Sequence, residues 1–239
     1  MRTNKLLIVG DSISEGTMGW SYAHFLKKDY PIVNLAVPGH TVKDDVEDVR
    51  HFFNTENVRN FKAVCVMVGT VDVTVPYGIK HDEGWANALG KDTFHYSKDE
   101  VEFSEHYKEL LDLLLTKFAK DQIIVMTIPP FELSMEAPYH ERHAYNANIR
   151  AICSEKGISH LINVGSLTNV KPVHGAFDQF ELEYVKKHKY EAFWTFHFPF
   201  TKNLYGRIRH LNLTIDGLHF NSFSAKRLAK AVKEELNKI

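Results

Sequence analysis

The sequence predicts an α/β protein, a three-layer α/β/α sandwich built on a five-stranded, mostly parallel, doubly wound sheet. Two observations predict it. Five short apolar runs, rich in Val and Ile and largely without alternation, each lead into Gly or Pro. Such runs suit strands buried on both faces of a parallel sheet. Between the runs lie segments whose apolar residues recur at helical spacing, and alternating strands and helices pack as helices on both sides of a sheet.

The first run is KLLIVG (5–10), followed by a helical face of Tyr22, Phe25 and Leu26. The second is IVNLAVPG (32–39), followed by Val42, Val46 and Val49. The third, AVCVMVGT (63–70), precedes a helix carrying Tyr107, Leu110, Leu111, Leu114 and Phe118. QIIVMTIPP (122–130) leads to a helix over about 138–156 with Tyr145, Ile149 and Ile152 inward, and SHLINVGSL (159–167) is the fifth run. The last helix runs from about Ser222 to Asn237, with Ala225, Leu228, Ala229, Val232 and Leu236 on one side and Asn221 as its N-cap. The expected architecture is flavodoxin-like.

Neither internal repeat nor linker divides the chain, so a single domain over 1–239 is expected, with inserts at about 73–100 and 170–212. The second insert contains FWTFHFPF (193–200), in which Trp194, Phe196, Phe198 and Phe200 alternate as on a strand face. Such a segment fits a small hydrophobic cluster under a loop, a contact within a homo-oligomer, or the wall of a substrate pocket.

Composition narrows the function classes. The 29 Lys and Arg nearly balance 30 Asp and Glu, for a formal charge of −1. No global field points to nucleic acid or an acidic membrane, and the basic cluster KKHK (186–189) is offset by Glu181, Glu183 and Glu191. No apolar run is long enough to span a bilayer. The opening MRTNKLLIVGD carries too short an apolar stretch for a signal peptide, so a cytoplasmic protein is expected. Cys65 and Cys153 each lie in an apolar pattern and read as small buried hydrophobes.

In an open parallel sheet the loops leaving the C-terminal strand ends meet at one rim, where ligands bind. Those loops carry Asp11-Ser12, then Pro38-Gly39-His40, then Gly69-Thr70-Val71-Asp72, and the segment IDGLHFN (215–221) precedes the last helix. A serine, glycines that free backbone N–H groups, and an Asp–His pair are the inventory of an acyl-transfer site. Asp216 and His219 stand three apart, so one turn brings carboxylate to imidazole, and Gly217 lets the backbone bend tightly. Each motif also has an ordinary reading: Ser12 as a helix cap, Asp216 as a turn residue, His219 as one of 14 histidines.

Together the blocks resemble the SGNH (GDSL) hydrolase family, which carries G-D-S after the first strand, a glycine after the second, G-x-N-D after the third, and D-x-x-H before the last helix. Here these are Gly10-Asp11-Ser12, Gly39, Gly69 with Asp72, and Asp216 with His219, in that order. The resemblance implies Ser12 as nucleophile, His219 as general base and then acid, and Asp216 as its orienting partner. It implies oxyanion donors in the N–H groups of Ser12 and Gly39, a pocket near Asp11, His40, Thr70, Val71 and Asp72, and no metal or organic cofactor. Asp11 is expected to brace its loop through backbone N–H groups.

The implied activity is hydrolysis of a small ester, with an acetyl-like group on a carbohydrate as first expectation and a lipid or thioester acyl chain as second. Transfer of the acyl group to an alcohol, or carbohydrate or acyl binding without catalysis, are the rival expectations. The last is motivated by Val71, which stands where the family has its third oxyanion donor, asparagine; Thr70, Thr74, His40 or an insert residue are possible replacements. Two weaker signals remain. His140 and His143, near Glu136 and Glu141, lack a third ligand at a recognised spacing and read as a polar helix face. GTVD matches no phosphate-loop pattern.

Overall fold

The computed structural model describes residues 4–81, 95–133, 136–167, 171–172, 190–191 and 193–239. KKHK (186–189), Glu181 and Glu183, and much of both expected inserts, lie outside them. Five strands form one sheet: β1 (Lys5–Gly10), β2 (Ile32–Asn34), β3 (Phe61–Met67), β4 (Ile123–Met126) and β5 (Leu161–Ile162). Their order is β2-β1-β3-β4-β5, and every pairing is parallel.

Strand periodicity sorts the sheet's side chains into two cores. Leu7, Val9, Val64, Val66 and Val125 join one face, while Leu6, Ile8, Ala63, Cys65, Met67, Ile124 and Met126 join the other. The first face is covered by α3 (Val42–Thr55), α4 (Thr70–His81), α5 (Glu100–Leu115) and α6 (Glu136–Lys156). The second is covered by α1 (Ser12–Glu15), α2 (Tyr22–Leu26) and α8 (Ser222–Leu236), with α7 (Lys202–Ile208) preceding α8 in the chain. This burial on both sides is why the strands read as unbroken apolar runs.

Helix starts follow local chemistry. Thr41 and Asp44 form a reciprocal capping box at α3, Asp99 accepts from Val101 and Glu102 N–H at α5, and Asn221 caps α8 through Ser224 N–H. Cys65 and Cys153 are buried free thiols. Among the described residues no helix is long and apolar enough to cross a membrane.

Three expectations change. The strands are shorter than their apolar runs, because residues 35–39 continue as a partly exposed connection and 127–130 as a buried one, both leaving the ladder; prolines at 38, 129 and 130 have no N–H to offer it. The first insert does not begin at 73, since α4 occupies Thr70–His81.

The aromatic stretch is also not a strand: residues 193–197 are helical, and a 3₁₀ turn follows at Pro199–Thr201. Residues two apart on a helix scatter around it, so Phe193, Trp194, Phe196, Phe198 and Phe200 remain 40–76% exposed while Thr195 turns inward at 1%. The segment is therefore no buried subcluster.

Candidate active site

β1 ends at Gly10, and the chain turns at once into α1. Asp11, rather than Ser12, is the N-cap: its Oδ1 accepts the Ile13 N–H at 2.9 Å. That leaves the Ser12 hydroxyl free of capping duty on the first helical residue. Asp11 thus braces its loop as the sequence suggests, while fully buried.

The partner groups arrive from the far end of the chain. Residues 214–220 form a tight reversal, with a bridge between Thr214 and Phe220 and the Ile215 N–H on the His219 carbonyl at 2.8 Å. Gly217 sits at its apex with φ +93°, the left-handed region that glycine enters without strain. Asp216 Oδ1 accepts from the N–H groups of Leu218 (3.0 Å) and His219 (2.8 Å). Its Oδ2 lies 2.5 Å from His219 Nδ1. On the other side of the ring, His219 Nε2 lies 2.8 Å from Ser12 Oγ, across 207 positions of sequence.

Electrostatics favour a charged imidazole. Burial alone would lower the His219 pKa, but the Asp216 charge and hydrogen bond, helped by Asp11 and Glu15, outweigh it and hold the ring above its ordinary value. Asp11 moves the other way for a carboxylate: burial raises it to about 6, against the opposing pull of the Ile13 N–H, Thr70 and His219.

The remaining expected residues surround this pair unevenly. Gly39 lies in the turn after β2 with φ +82°. Ser12, as the first helical residue, has an N–H with no partner inside the helix. Val71 belongs to the apolar core at 6% exposure. Asp72 has no exposed surface, and its carboxylate accepts from the Val42 N–H, the Ser97 N–H and the Ser97 hydroxyl. It therefore ties α4 to the start of α3.

The proposed substitutes for the missing amide are otherwise engaged. Thr74 donates to the Thr70 carbonyl at 2.8 Å, the Thr70 side chain faces Asp11, and His40 Nδ1 lies 3.0 Å from Asp48. His143 is exposed on α6; the side chain of His140 lies outside the described set.

Three contributors were not legible in the sequence. Glu132, just beyond β4, is completely buried and accepts from the N–H groups of Asn212, Leu213 and Thr214 and from the Thr214 hydroxyl, at 2.7–3.0 Å. Its own N–H donates to the Gly217 carbonyl at 2.8 Å. One carboxylate thereby fixes the segment leading into the Asp216–His219 turn.

Lys202 is buried at 7% and donates to the carbonyls of Gly16 (2.7 Å) and Gly19 (2.8 Å). Gly19 itself is pressed against the base of the His219 side chain and the backbone beside it: a Cβ there would lie 2.7 Å from His219 Cβ and 2.8 Å from the Phe220 carbonyl oxygen. The prolines beside Glu132 mark the end of a run, but nothing local announces that its carboxylate will meet donors about 80 residues away. A cleft of about 240 Å³ is lined by Glu15, Gly16, Thr17, Trp20, His24 and Phe196, among others, but by none of Ser12, Asp216 and His219.

Residues 8–185 match the GDSL-like lipase/acylhydrolase family. The chain belongs to that family. The matched span contains Ser12 and Gly39 but stops before Asp216 and His219, so the folded geometry is what joins the two ends of the site. No curated protein sequence matches the chain.

Solved structures share the fold at low identity. A member of the lipolytic protein G-D-S-L family from Veillonella parvula superposes with a TM-score of 0.61 at 12% identity, covering 98% of this chain and 99% of that one. Axe2, an acetylxylan esterase from Geobacillus stearothermophilus, gives 0.57 at 19% identity, covering 99% and 96%. Est24, a carbohydrate acetylesterase from Sinorhizobium meliloti, gives 0.60 at 12% identity, covering 99% of each chain.

Proposed function

We propose that this GDSL-type acylhydrolase is a serine esterase that removes a small, acetyl-like acyl group from a carbohydrate or related small ester through an acyl–Ser12 intermediate. The observation that carries this reading is the continuous contact Asp216–His219–Ser12, at 2.5 and 2.8 Å. Ser12 Oγ attacks the ester carbonyl carbon while His219 Nε2 takes its proton. Asp216 holds the ring by Nδ1 and favours its charged form. The N–H groups of Ser12 and Gly39 stabilise the oxyanion. The tetrahedral intermediate collapses, His219 protonates the departing alcohol, and the ring then deprotonates a water that releases the acid and restores the serine.

A fluorophosphonate probe tests the reading. Wild-type protein should label stoichiometrically and hydrolyse p-nitrophenyl acetate, and Ser12→Ala should do neither. An unlabelled wild type would replace it with the second reading, a binding protein on the same scaffold.

That second reading is favoured by one feature, the buried Val71 where an amide donor belongs. One lost oxyanion donor costs about 2.7–4 kcal/mol. Val71→Asn should therefore raise turnover, up to about a hundredfold, with about 1–2 kcal/mol of stability lost to the buried amide. An unchanged or lower rate would show that another donor already serves.

A further inference from the structure

The turn carrying Gly39 continues into a group of side chains that the ester chemistry does not use. His40 precedes the Thr41 cap of α3, and Asp45 and Asp48 lie on the helix itself, three residues apart and so on one face. Donor atoms of His40, Asp45 and Asp48 all lie within 4.8 Å of one another. His40 Nδ1 and Asp48 Oδ2 are 3.0 Å apart; the two side chains are 29% and 38% exposed, while the Nδ1 atom itself is buried.

Asp45 differs. It is 1% exposed, and neither carboxylate oxygen has a hydrogen-bond partner among the described residues. Its electrostatic neighbours are the carboxylates of Asp11, Asp72, Asp48 and Asp44, with no cation among them. A buried carboxylate without donors is costly, and pairing or metal coordination is the usual remedy. Hydrogen bonds from the protein do not provide one here.

We propose that His40, Asp45 and Asp48 form a binding site for one first-row divalent cation of the Mn²⁺ or Zn²⁺ type. One imidazole and two carboxylates make a mixed N/O donor set, which suits such ions better than Ca²⁺. Bonds of about 2.1 Å place neighbouring octahedral ligands about 3 Å apart. The His40–Asp48 edge already has that length, and the wider edges close with small side-chain rotations. Entry is along the half-buried His40 and Asp48 side chains, and solvent completes the coordination. The ion would neutralise Asp45 and tie the Gly39–His40 turn to α3, stiffening a turn beside Ser12 without touching substrate.

The test is isothermal titration of the chelator-treated full chain with MnCl₂ and with ZnCl₂, alongside thermal melts with and without metal. One equivalent should bind per chain and raise the melting temperature. Asp45→Asn and His40→Ala should each weaken binding about a hundredfold, and His51→Ala, an exposed histidine on the same helix, should leave it unchanged. Should Asp45→Asn fail to fold, Asp48→Asn at the surface must show the same loss. Absence of stoichiometric binding in the wild type, or undiminished affinity in the His40 and Asp48 variants, overturns the proposal. None of these readouts depends on esterase activity, so they stand apart from the fate of the Ser12 reading.

Discussion

The end of β4 and the start of α3 each bury a carboxylate, and the two are treated in opposite ways. Glu132 receives four donors from residues 212–214. Asp45, equally inaccessible, receives none. Asp11 stands between them, with one oxygen on the Ile13 N–H and the Thr70 side chain nearby but no close hydrogen bond on the other. Burial by itself therefore does not say what a carboxylate is for; the donors that reach it do. Glu132 is a fastener for the Asp216–His219 turn, Asp11 a cap under some strain, and Asp45 a group awaiting a counterion.

The contrast predicts a graded series of effects. Glu132→Ala strands three buried donors and a partly buried fourth, and a loss of about 4 kcal/mol is expected in urea unfolding, with esterase activity falling with it. A change under 1 kcal/mol would mean that the 212–220 turn holds itself.

Next come the two partners of that turn. In the proposed mechanism the neutral imidazole is the base, so kcat/KM should rise with pH through an apparent pKa above the 6.5 of an ordinary histidine. Asp216→Asn should move that limb to lower pH and reduce the rate about a thousandfold or more. Glu132→Gln should lower the rate without moving the limb, because Glu132 accepts from the 212–214 backbone and the Thr214 hydroxyl and not from the ring. A limb displaced by Glu132→Gln would erase the distinction between fastening the turn and tuning the histidine.

The smallest effect concerns Asp11. Its folded-state pKa lies above its unfolded value of 3.8, at about 6. Its contribution to stability is therefore complete below about pH 4 and lost as pH rises through 6. Asparagine keeps the oxygen that caps Ile13 and removes the charge, so Asp11→Asn should gain up to about 3 kcal/mol at pH 8 and little at pH 4. Equal curves at both pH values would place the Asp11 carboxylate in a better-solvated setting than its burial implies.

How much could be read beforehand follows from the range of each interaction. The strand cores were legible because burial on both faces leaves an unbroken Val- and Ile-rich run, yet their ends were not, since a ladder stops where its neighbour stops. Alternating aromatics at 193–200 suggested a strand, but nothing in spacing alone supplies a partner strand, and the backbone closed its bonds locally, as in the Phe198 N–H on the Trp194 carbonyl. The DGLH turn was legible because Asp216 and His219 are three residues apart.

The sequence by itself determined the strand cores, the helix caps and the short-range Asp216–His219 pairing, because each depends on neighbours within a few positions. Only the tertiary structure decided that His219 meets Ser12, that Glu132 anchors the 212–214 segment, and that Asp45 is sealed in without donors. Those outcomes depend on which distant segments the sheet order brings together, and the energies of desolvation and pairing exist only once they are packed.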